Sequence, residues 1–359
     1  MEKLKVNLGE NSYNILFSDN FDGLGEALGD IDAPKKLLIV TDTNVAPLYA
    51  EQVKSILDEN GYDTAVHIFE AGEKNKNMNS ILGICQACID HKMDRKSMII
   101  ALGGGVVGDM AGFAAAIYMR GIRFVQVPTT LLSQSDSSVG GKTGIDFAES
   151  KNILGAFHQP KLVYINVSTL KTLPEEEFVS GMGEVVKHGV IYDSKFFEYL
   201  KDNYKKIKRL DEETLINMAK KNCSIKADVV MQDEKESGLR AILNFGHTIG
   251  HAAEGAFNFT MTHGACVGLG MCAASYIAFR RSMLSGNELH EIENVNKIYK
   301  LPIRAKIENV DRLLELMQND KKKADGKLKF VLPTEIGKVV IVDDVTAEEI
   351  DSAIEYINK

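Results

Sequence analysis

The 359-residue chain lacks several features, and each absence excludes a class of protein. It has no run of eighteen apolar residues, so the sequence predicts no membrane-spanning helix. The opening residues, MEKLKVNLGENSY, contain no apolar segment of the signal-peptide type, and we therefore expect a cytoplasmic protein. The net charge of −8 offers no positive excess for nucleic-acid binding.

Cysteine is also scarce. The five cysteines are an odd number and lie scattered along the chain, which does not indicate a disulfide framework. Cys85 and Cys88 form a CxxC pair, but no second pair matches it. Both lie in the apolar helical pattern SILGICQACI, which favours buried thiols over a redox or zinc pair. Reduced cysteines suit the cytoplasm.

Hydrophobic residues make up 45% of the chain, which is enough for a substantial core and for more than one domain. Residues 1–172 begin with a hairpin or edge strands. Short apolar strands such as KKLLIVTD then alternate with helical segments such as MNSILGICQACID. This alternation predicts a parallel sheet covered by helices on both faces, in an α/β Rossmann-like nucleotide-binding domain.

Residues 173–359 have a different pattern, in which long helical segments such as GLRAILNFGHTIGHAAEGAF follow one another. They predict an all-α domain that binds metal and substrate, with a small ribbon from KLKFVLP and GKVVIV. The boundary lies near Leu173–Pro174, where a proline opens a helix with three glutamates in its first turn.

A glycine-rich turn, LGGGVVGDMAGF, follows the predicted third strand of the parallel series. Gly103, Gly105 and Gly108 fit G-x-G-x-x-G, a pattern that lets the backbone approach a pyrophosphate. The usual dinucleotide fingerprint fails, however, because no acid ends the next strand. Asp42 and Glu70 end the two preceding strands, where they could accept hydrogen bonds from a nucleotide or cap a helix. The residues alone leave a nucleotide site and a structural turn both open.

The polar segment SQSDSSVGGKTGIDFAESKNILGAFHQP is long for a simple connection. Lys142, Lys151 and Asn152 lie in it among glycines, and lysines neutralise phosphate or carboxylate groups. GGKT is similar to part of an ATP-binding P-loop, but Asp136 stands where that motif needs a glycine. A small anionic ligand is therefore favoured over ATP.

A metal site is predicted from one glutamate and several histidines. Glu184 and Lys187 lie in GMGEVVKHGV, His247 and His251 in NFGHTIGH, and His263 begins another helix. A carboxylate with two imidazoles suits catalytic Zn²⁺. On spacing alone His247 and His251 would both be ligands, because residues four apart share one helix face. A polar helix without metal is the alternative.

Six blocks together resemble the 3-dehydroquinate synthases, within the sugar-phosphate cyclases, over nearly the whole chain. They are ALGGGVVGDMAGFAAAIYMRGIRFVQVPTTLL, DSSVGGKTGID, KNILGAFHQP, GMGEVVKHG, LRAILNFGHTIGHAAE and NDKKKADGK. The resemblance implies a shikimate-pathway lyase that converts 3-deoxy-D-arabino-heptulosonate 7-phosphate (DAHP) to 3-dehydroquinate and phosphate. The implied course is oxidation at C5 by NAD⁺, phosphate elimination, re-reduction, ring opening and aldol closure, with Zn²⁺ or Co²⁺ bound.

The resemblance also implies roles for individual residues. The metal ligands would be Glu184, His247 and His263, so that His251 would face the substrate phosphate. Phosphate would be held by Lys142, Asn152 and Lys322, the carboxylate by Arg240 and Lys226, and ring hydroxyls by Asp136, Lys187 and Asn244, with Glu236 as proton acceptor. Arg120 would reach the neighbouring subunit's site, which implies a homodimer. NAD would contact Asp42, Glu70, Ala71, Gly72, Glu73, Lys74, Gly105, Val106, Val107, Gly108, Asp109, Thr129, Thr130, Lys142, Lys151, Thr169, Leu170, Lys171 and Thr172.

The chain departs from this pattern at three places. Gly264–Ala265–Cys266 stands where Gly-Glu-Ala is usual, Gly183 replaces an alanine, and Ser135 replaces an apolar residue. None of these changes removes an implied metal ligand. The absent glutamate bears on how a metal-binding histidine is oriented, since such histidines usually donate a second hydrogen bond.

Three other functions remain open. A related cyclase making a deoxy-inosose or a valiolone would act on a substrate without a carboxylate, leaving Arg240 without an obvious partner. A metal-dependent dehydrogenase for glycerol or its phosphate would accumulate NADH, whereas a cyclase would not. A non-catalytic NAD-binding or scaffold protein would leave metabolism unchanged when Glu184 is replaced.

Overall fold

The computed structural model describes residues 1–148, 150–234, 238–323 and 328–358, without the side chains of residues 319–323. The chain forms two compact units, residues 1–173 with 215–231, and residues 174–214 with 232–359. The sequence-based division at residue 173 differs from this one in the segment Leu215–Met231, which packs with the first unit. None of the described helices combines the length and the hydropathy of a membrane-spanning segment.

The first unit is built on a seven-stranded sheet. The strands of this unit are β1 (Glu2–Val6), β2 (Tyr13–Ser18), β3 (Lys36–Asp42), β4 (Asp63–Phe69), β5 (Met98–Gly103), β6 (Arg123–Pro128), β7 (Lys142–Phe147), β8 (Ser150–Phe157) and β9 (Leu162–Asn166). The order in the seven-stranded sheet is β1-β2-β9-β6-β5-β3-β4. All pairs in the large sheet are parallel except β1 with β2. This confirms the predicted parallel sheet and its N-terminal hairpin.

Helices cover both faces of the sheet because alternate residues of each strand point to opposite sides. The helices of this unit are α1 (Leu24–Gly29), α2 (Glu51–Glu59), α3 (Met78–Asp90) and α4 (Gly105–Ile117). Leu38 and Ile99 pack on the face that α3 and α4 cover, whereas Leu37 and Ile100 pack on the face of α1 and α2. Strands β5 and β9 are buried along their whole length, as continuous apolar runs require.

The polar segment contains a hairpin whose strands were not predicted from the sequence. Strands β7 and β8 pair antiparallel, with Lys142 opposite Phe157. Gly144 and Gly155 face each other, and a Cβ on Gly155 would lie 2.1 Å from the carbonyl oxygen of Thr143. Two of the glycines that suggested a ligand loop therefore serve close strand pairing. Strand β9 was likewise missed.

Helices dominate the second unit. They are α5 (Glu175–Tyr192), α6 (Ser194–Asp202), α7 (Tyr204–Lys208), α8 (Glu212–Gln232, most of which belongs to the first unit), α9 (His247–Ala256), α10 (His263–Arg280), α11 (Gly286–Ile298), α12 (Val310–Lys323) and α13 (Ala347–Ile357). Strands β10 (Phe330–Glu335) and β11 (Lys338–Val342) form the predicted antiparallel ribbon.

One predicted helix is wrong. GLRAILNFGHTIGHAAEGAF is not continuous, because a 3₁₀ turn at Leu239–Asn244 precedes α9 and Gly246 separates the two. Gly246 has a φ of +79°, and a Cβ there would lie 2.7 Å from the carbonyl oxygen of Val267. Glycine is thus required on both conformational and steric grounds. The break makes His247 the first residue of α9.

Candidate active site

Three helices of the second unit bring Glu184, His247 and His263 together. Glu184 lies within α5, and the two histidines are the first residues of α9 and α10. The Nε2 atoms of His247 and His263 are each 3.5 Å from Oε1 of Glu184. One potential ligand atom from each of the three residues lies within 4.8 Å of the others.

Glycines allow these helices to approach closely enough to form the cluster. A Cβ on Gly264, next to His263, would lie 1.7 Å from the carbonyl oxygen of Ser180 in α5. A Cβ on Gly270 would lie 1.9 Å from the carbonyl oxygen of Gly246, just before α9. Because both contacts are with backbone atoms, neither helix could accept a side chain there without moving.

The residues present fit a divalent cation. Oε1 of Glu184 is buried and has no hydrogen-bond partner in the described part of the chain, an arrangement that normally costs free energy. The 3.5 Å separations from this oxygen match the roughly 3.4 Å expected between two ligands about 2.1 Å from a tetrahedral ion. One carboxylate and two imidazoles form the donor set of many catalytic Zn²⁺ sites.

The second nitrogen of each histidine is also held. Nδ1 of His247 lies 3.1 Å from the carbonyl oxygen of Phe245, and Nδ1 of His263 lies 2.6 Å from Oε1 of Glu254. A donor bond from Nδ1 turns the lone pair of a neutral imidazole to Nε2, the atom that faces Glu184. Both rings are therefore oriented as metal-binding histidines usually are.

His251 lies beside this cluster. Its ring centroid is 4.9 Å from that of His247, as expected for residues four apart on a helix. Yet no candidate metal group among the described residues contains both His247 and His251. His251 is instead grouped with Glu254 and His263. The geometry does not support the pairing expected from spacing alone.

Lys187 controls the charge of the cluster. Its Nζ pairs with Oε2 of Glu184, and both side chains are almost fully buried. Burial alone would raise the pKa of Glu184, but Lys187 and the two histidines hold it well below its usual range. Burial and the charge of Lys187 lower the pKa of His247 well below its usual range. Glu184 is therefore ionised and His247 neutral near pH 7.

His263 is the basic member of the cluster. Burial lowers its pKa, but the nearby carboxylates of Glu184 and Glu254 outweigh that effect and raise the pKa to about 9. The two carboxylates therefore both favour positive charge at this position.

In the first unit, residues predicted to bind a nucleotide lie at the carboxyl edge of the sheet. Asp42 ends β3, Gly103 ends β5 and Thr129 follows β6. The carboxyl ends of parallel strands share one edge, where open α/β sheets bind ligands. Oδ1 of Asp42 accepts hydrogen bonds from the backbone N–H groups of Asn44 and Val45, both at 2.9 Å. Asp42 thus also caps the chain segment that follows it, which is the alternative role that the sequence analysis left open for this residue.

Sequence reasoning missed Lys76, which joins two predicted site residues. Its buried Nζ lies 2.7 Å from Oδ2 of Asp109 and 2.5 Å from Oδ1 of Asn152. Burial raises the pKa of Asp109 to about 6, although Lys76 opposes the rise. The sequence did contain a signal for this residue, because Lys76 is the second lysine of AGEKNKN, the segment that also contains the predicted NAD-binding residue Lys74. Lys76 links the glycine-rich turn to the β7–β8 hairpin.

Two predicted carboxylate-binding residues are already engaged. In the first unit, Nζ of Lys226 lies 2.6 Å from Oδ1 of Asp136. In the second unit, Nη1 of Arg240 donates to the carbonyl oxygen of Glu234 at 2.7 Å, and its backbone N–H donates to Asp233. Both side chains are therefore held by contacts within their own units.

Comparison with known proteins decides the family. Residues 66–180 match the family model of the 3-dehydroquinate synthase N-terminal region, and residues 181–323 match that of the C-terminal region. The chain is 50% identical over 347 residues to the 3-dehydroquinate synthase of Acetivibrio thermocellus, covering 96% of both. It is 43% identical over 362 residues to that of Rippkaea orientalis, covering 99% of both. The chain belongs to the 3-dehydroquinate synthase family.

Solved structures similar to this family member include other cyclases. The 2-epi-5-epi-valiolone synthase of Streptomyces hygroscopicus, whose structure contains NAD⁺ and Zn²⁺, has a TM-score of 0.90 at 27% identity over 98% of both chains. A 2-deoxy-scyllo-inosose synthase has a TM-score of 0.88 at 24% identity over 98% of this chain and 99% of its own, and that likeness shows the fold. The predicted fold class is confirmed.

The remaining residues implied by the family pattern are spread over both units. In the first unit, Lys142 begins β7 and Lys151 lies in β8, while Thr169, Leu170 and Lys171 lie in a 3₁₀ turn after β9. In the second unit, Asn244 is exposed at the end of the turn before α9. Glu236 lies outside the described residues, as does the side chain of Lys322.

Proposed function

We propose that this chain is a cytoplasmic 3-dehydroquinate synthase that converts DAHP to 3-dehydroquinate and phosphate. The observation that carries the proposal is the convergence of Glu184, His247 and His263, from three separate helices, on one buried carboxylate oxygen. Three protein ligands leave a fourth position of a divalent cation for substrate. The reaction that we propose for this site is that of the family to which the chain belongs.

The cofactors that we propose are NAD and Zn²⁺ or Co²⁺. When bound, the cation supplies Lewis-acid chemistry and NAD a reversible hydride acceptor, so that the substrate is oxidised, loses phosphate and is reduced again before ring opening and aldol closure. Glu184, His247 and His263 would hold the cation. Support for an NAD site comes from the position of Asp42, Gly103 and Thr129 at the carboxyl edge of the sheet.

The proposed work of the other residues is positioning and proton transfer. Lys187 keeps the Glu184 carboxylate ionised and oriented through their buried ion pair. His251, exposed beside the cluster, would exchange a proton near the substrate phosphate. We retain the remaining assignments as proposals: phosphate at Lys142, Asn152 and Lys322, carboxylate at Arg240 and Lys226, ring hydroxyls at Asp136, Lys187 and Asn244, and proton acceptance at Glu236.

A homodimer is the proposed assembly, with Arg120 of each subunit completing the partner's site. Arg120 is exposed, and both it and Met119 have left-handed backbones, with φ of 69° and 48°. Non-glycine residues adopt this conformation at a cost and often do so at functional positions. Two apolar residues close to Arg120 in the sequence, Ile117 and Met119, are each 44% exposed.

The substrate distinguishes this proposal from a second candidate, a valiolone-type cyclase. That candidate comes from the likeness to the 2-epi-5-epi-valiolone synthase structure, which has a TM-score of 0.90. Purified protein with NAD⁺ and Zn²⁺ would be given either DAHP or sedoheptulose 7-phosphate, which lacks the carboxylate, and phosphate release would be measured. We expect release from DAHP. Release from sedoheptulose 7-phosphate without release from DAHP would reject the proposal.

A variant sharpens the same assay. Arg240→Gln removes the charged donor proposed for the carboxylate, and a charge-assisted hydrogen bond contributes about 1.5–3 kcal/mol. We expect kcat/KM for DAHP to fall by about 10- to 100-fold, mostly through KM. Arg280→Gln, which removes an arginine from the end of α10, is the matched control and should leave kcat/KM unchanged.

A further inference from the structure

We infer that Glu254 is a positioning residue that holds His263 with Nε2 turned toward the cation site. The inference rests on the proposed function, because it concerns the cation of that site. Glu254 lies in α9, and 7% of its side chain is exposed. Its Oε1 is 2.6 Å from Nδ1 of His263, so the imidazole N–H donates a charge-assisted hydrogen bond to the carboxylate.

The distance shows that Glu254 acts as an acceptor for His263. Two ligands of one Zn²⁺ lie about 3.4 Å apart, which is the spacing that Glu184 keeps from both histidines. At 2.6 Å, Glu254 and His263 are too close to share an ion in this way. His251, Glu254 and His263 offer three ligand atoms within 4.8 Å, but this short contact leaves no room for an ion between the last two.

The contact has a defined consequence for the imidazole. A donor bond from Nδ1 fixes both the ring rotation and the tautomer, so that Nε2 presents its lone pair toward Glu184. The corresponding contact of His247 is to the backbone carbonyl of Phe245, which side-chain substitution leaves in place. Of these two orienting contacts, that of Glu254 can be removed by mutation.

The test measures Zn²⁺ affinity independently of turnover. Full-length protein would be stripped with a chelator, and the Zn²⁺ dissociation constant of wild type, Glu254→Ala and Glu254→Gln would be measured by competition with a chromophoric chelator. Loss of such an outer contact typically weakens metal affinity by about 10- to 100-fold. We expect that loss in Glu254→Ala and a smaller one in Glu254→Gln, whose amide oxygen still accepts the hydrogen bond.

A matched variant separates positioning from stability. Glu293 is also a buried glutamate, bonded to Arg304 and Tyr356 instead of a histidine. Glu293→Gln should therefore leave the Zn²⁺ dissociation constant unchanged even if its melting temperature falls. The absorption spectrum of bound Co²⁺ should change in Glu254→Ala and stay unchanged in Glu293→Gln, because only the first alters the geometry of a ligand.

Three outcomes would overturn the inference. Wild-type affinity in a folded Glu254→Ala protein would show that the contact does not position His263, and continued 3-dehydroquinate formation would leave the proposed function intact. Two Zn²⁺ ions per wild-type chain, with one lost in Glu254→Ala, would make Glu254 a ligand. A wild-type chain that binds neither Zn²⁺ nor Co²⁺ would overturn both the inference and the proposed function.

Discussion

Oε1 of Glu184 is the atom around which the candidate site is built. It is buried, faces two imidazole nitrogens at 3.5 Å, and belongs to a carboxyl that Lys187 keeps ionised. In a purely structural role this buried carboxylate would cost folding free energy, because Oε1 lacks a hydrogen-bond partner among the described residues. A divalent cation would offset that cost.

The two histidines four residues apart should respond differently to replacement. His247→Ala removes a proposed ligand, so we expect it to lose bound metal and turnover together. His251→Ala should retain the metal yet slow turnover by about 10²- to 10⁴-fold, the usual effect of losing a proton-transfer group. Metal content by atomic emission, with kcat, checks both variants. Equal metal loss in the two would restore the pairing expected from spacing.

Asp109 should make stability depend on pH. Its pKa is raised in the folded chain from 3.8 to about 6 by burial, against the opposing charge of Lys76. A carboxyl whose pKa rises on folding stabilises the fold fully below pH 3.8, and this contribution is lost as pH rises through about 6. Between these values, the unfolding free energy of wild type should therefore fall relative to that of Asp109→Asn.

Urea denaturation at several pH values would measure this effect. The exposed substitution Asp22→Asn serves as the control and should follow wild type. If the unfolding free energies of wild type and Asp109→Asn change in parallel between pH 3.8 and about 6, the expected titration of Asp109 is wrong.

Individual residues were predictable from the sequence to different degrees. The family resemblance implied three metal ligands, Glu184, His247 and His263, because each stands in a sharply defined sequence block. Spacing alone favoured His251 as a metal ligand beside His247. Lys76 and Glu254 were missed because their importance comes from partners 33 and 9 positions away. The chain has Ala265 where a glutamate is usual, and Glu254 is the acid that orients His263 in the structure.

At the scale of elements, backbone contact between helices sets the spacing of the cluster. A Cβ on Gly264 would meet the backbone of Ser180 in α5, and a Cβ on Gly250 would meet the backbone of Cys266 in α10. The helical periods and the parallel sheet were predictable from apolar patterns. The break at Gly246 and the β7–β8 hairpin were not, because both depend on glycine contacts made only after the elements pack.

Gly264→Ala should separate α5 from α10. The added methyl would meet the Ser180 carbonyl, and overpacking of this kind costs about 1–3 kcal/mol of unfolding free energy. Because His263 is adjacent, Zn²⁺ affinity should fall as well. Gly286→Ala, whose Cβ would make only an ordinary 3.5 Å contact with Phe279, is the control. Unchanged stability and affinity in Gly264→Ala would refute this account of the helix contact.

At the scale of the whole molecule, sites shared between subunits should allow complementation. Arg120→Ala and Glu184→Ala proteins should each be inactive alone, since each lacks one proposed part of the site. Mixed and refolded together, random dimers should recover about one quarter of wild-type activity, because each hybrid contains one complete site. No recovery from a mixture that forms hybrid dimers would place Arg120 in its own subunit's site.

In a cyclase of the proposed kind, NAD is reduced and reoxidised within each turnover. The most direct measurement follows phosphate and NADH together while the Zn²⁺-loaded protein acts on DAHP with NAD⁺. We expect phosphate release to match 3-dehydroquinate formation over many turnovers, with no accumulation of NADH. NADH rising in step with turnover would identify a simple dehydrogenase and exclude the proposed cyclase.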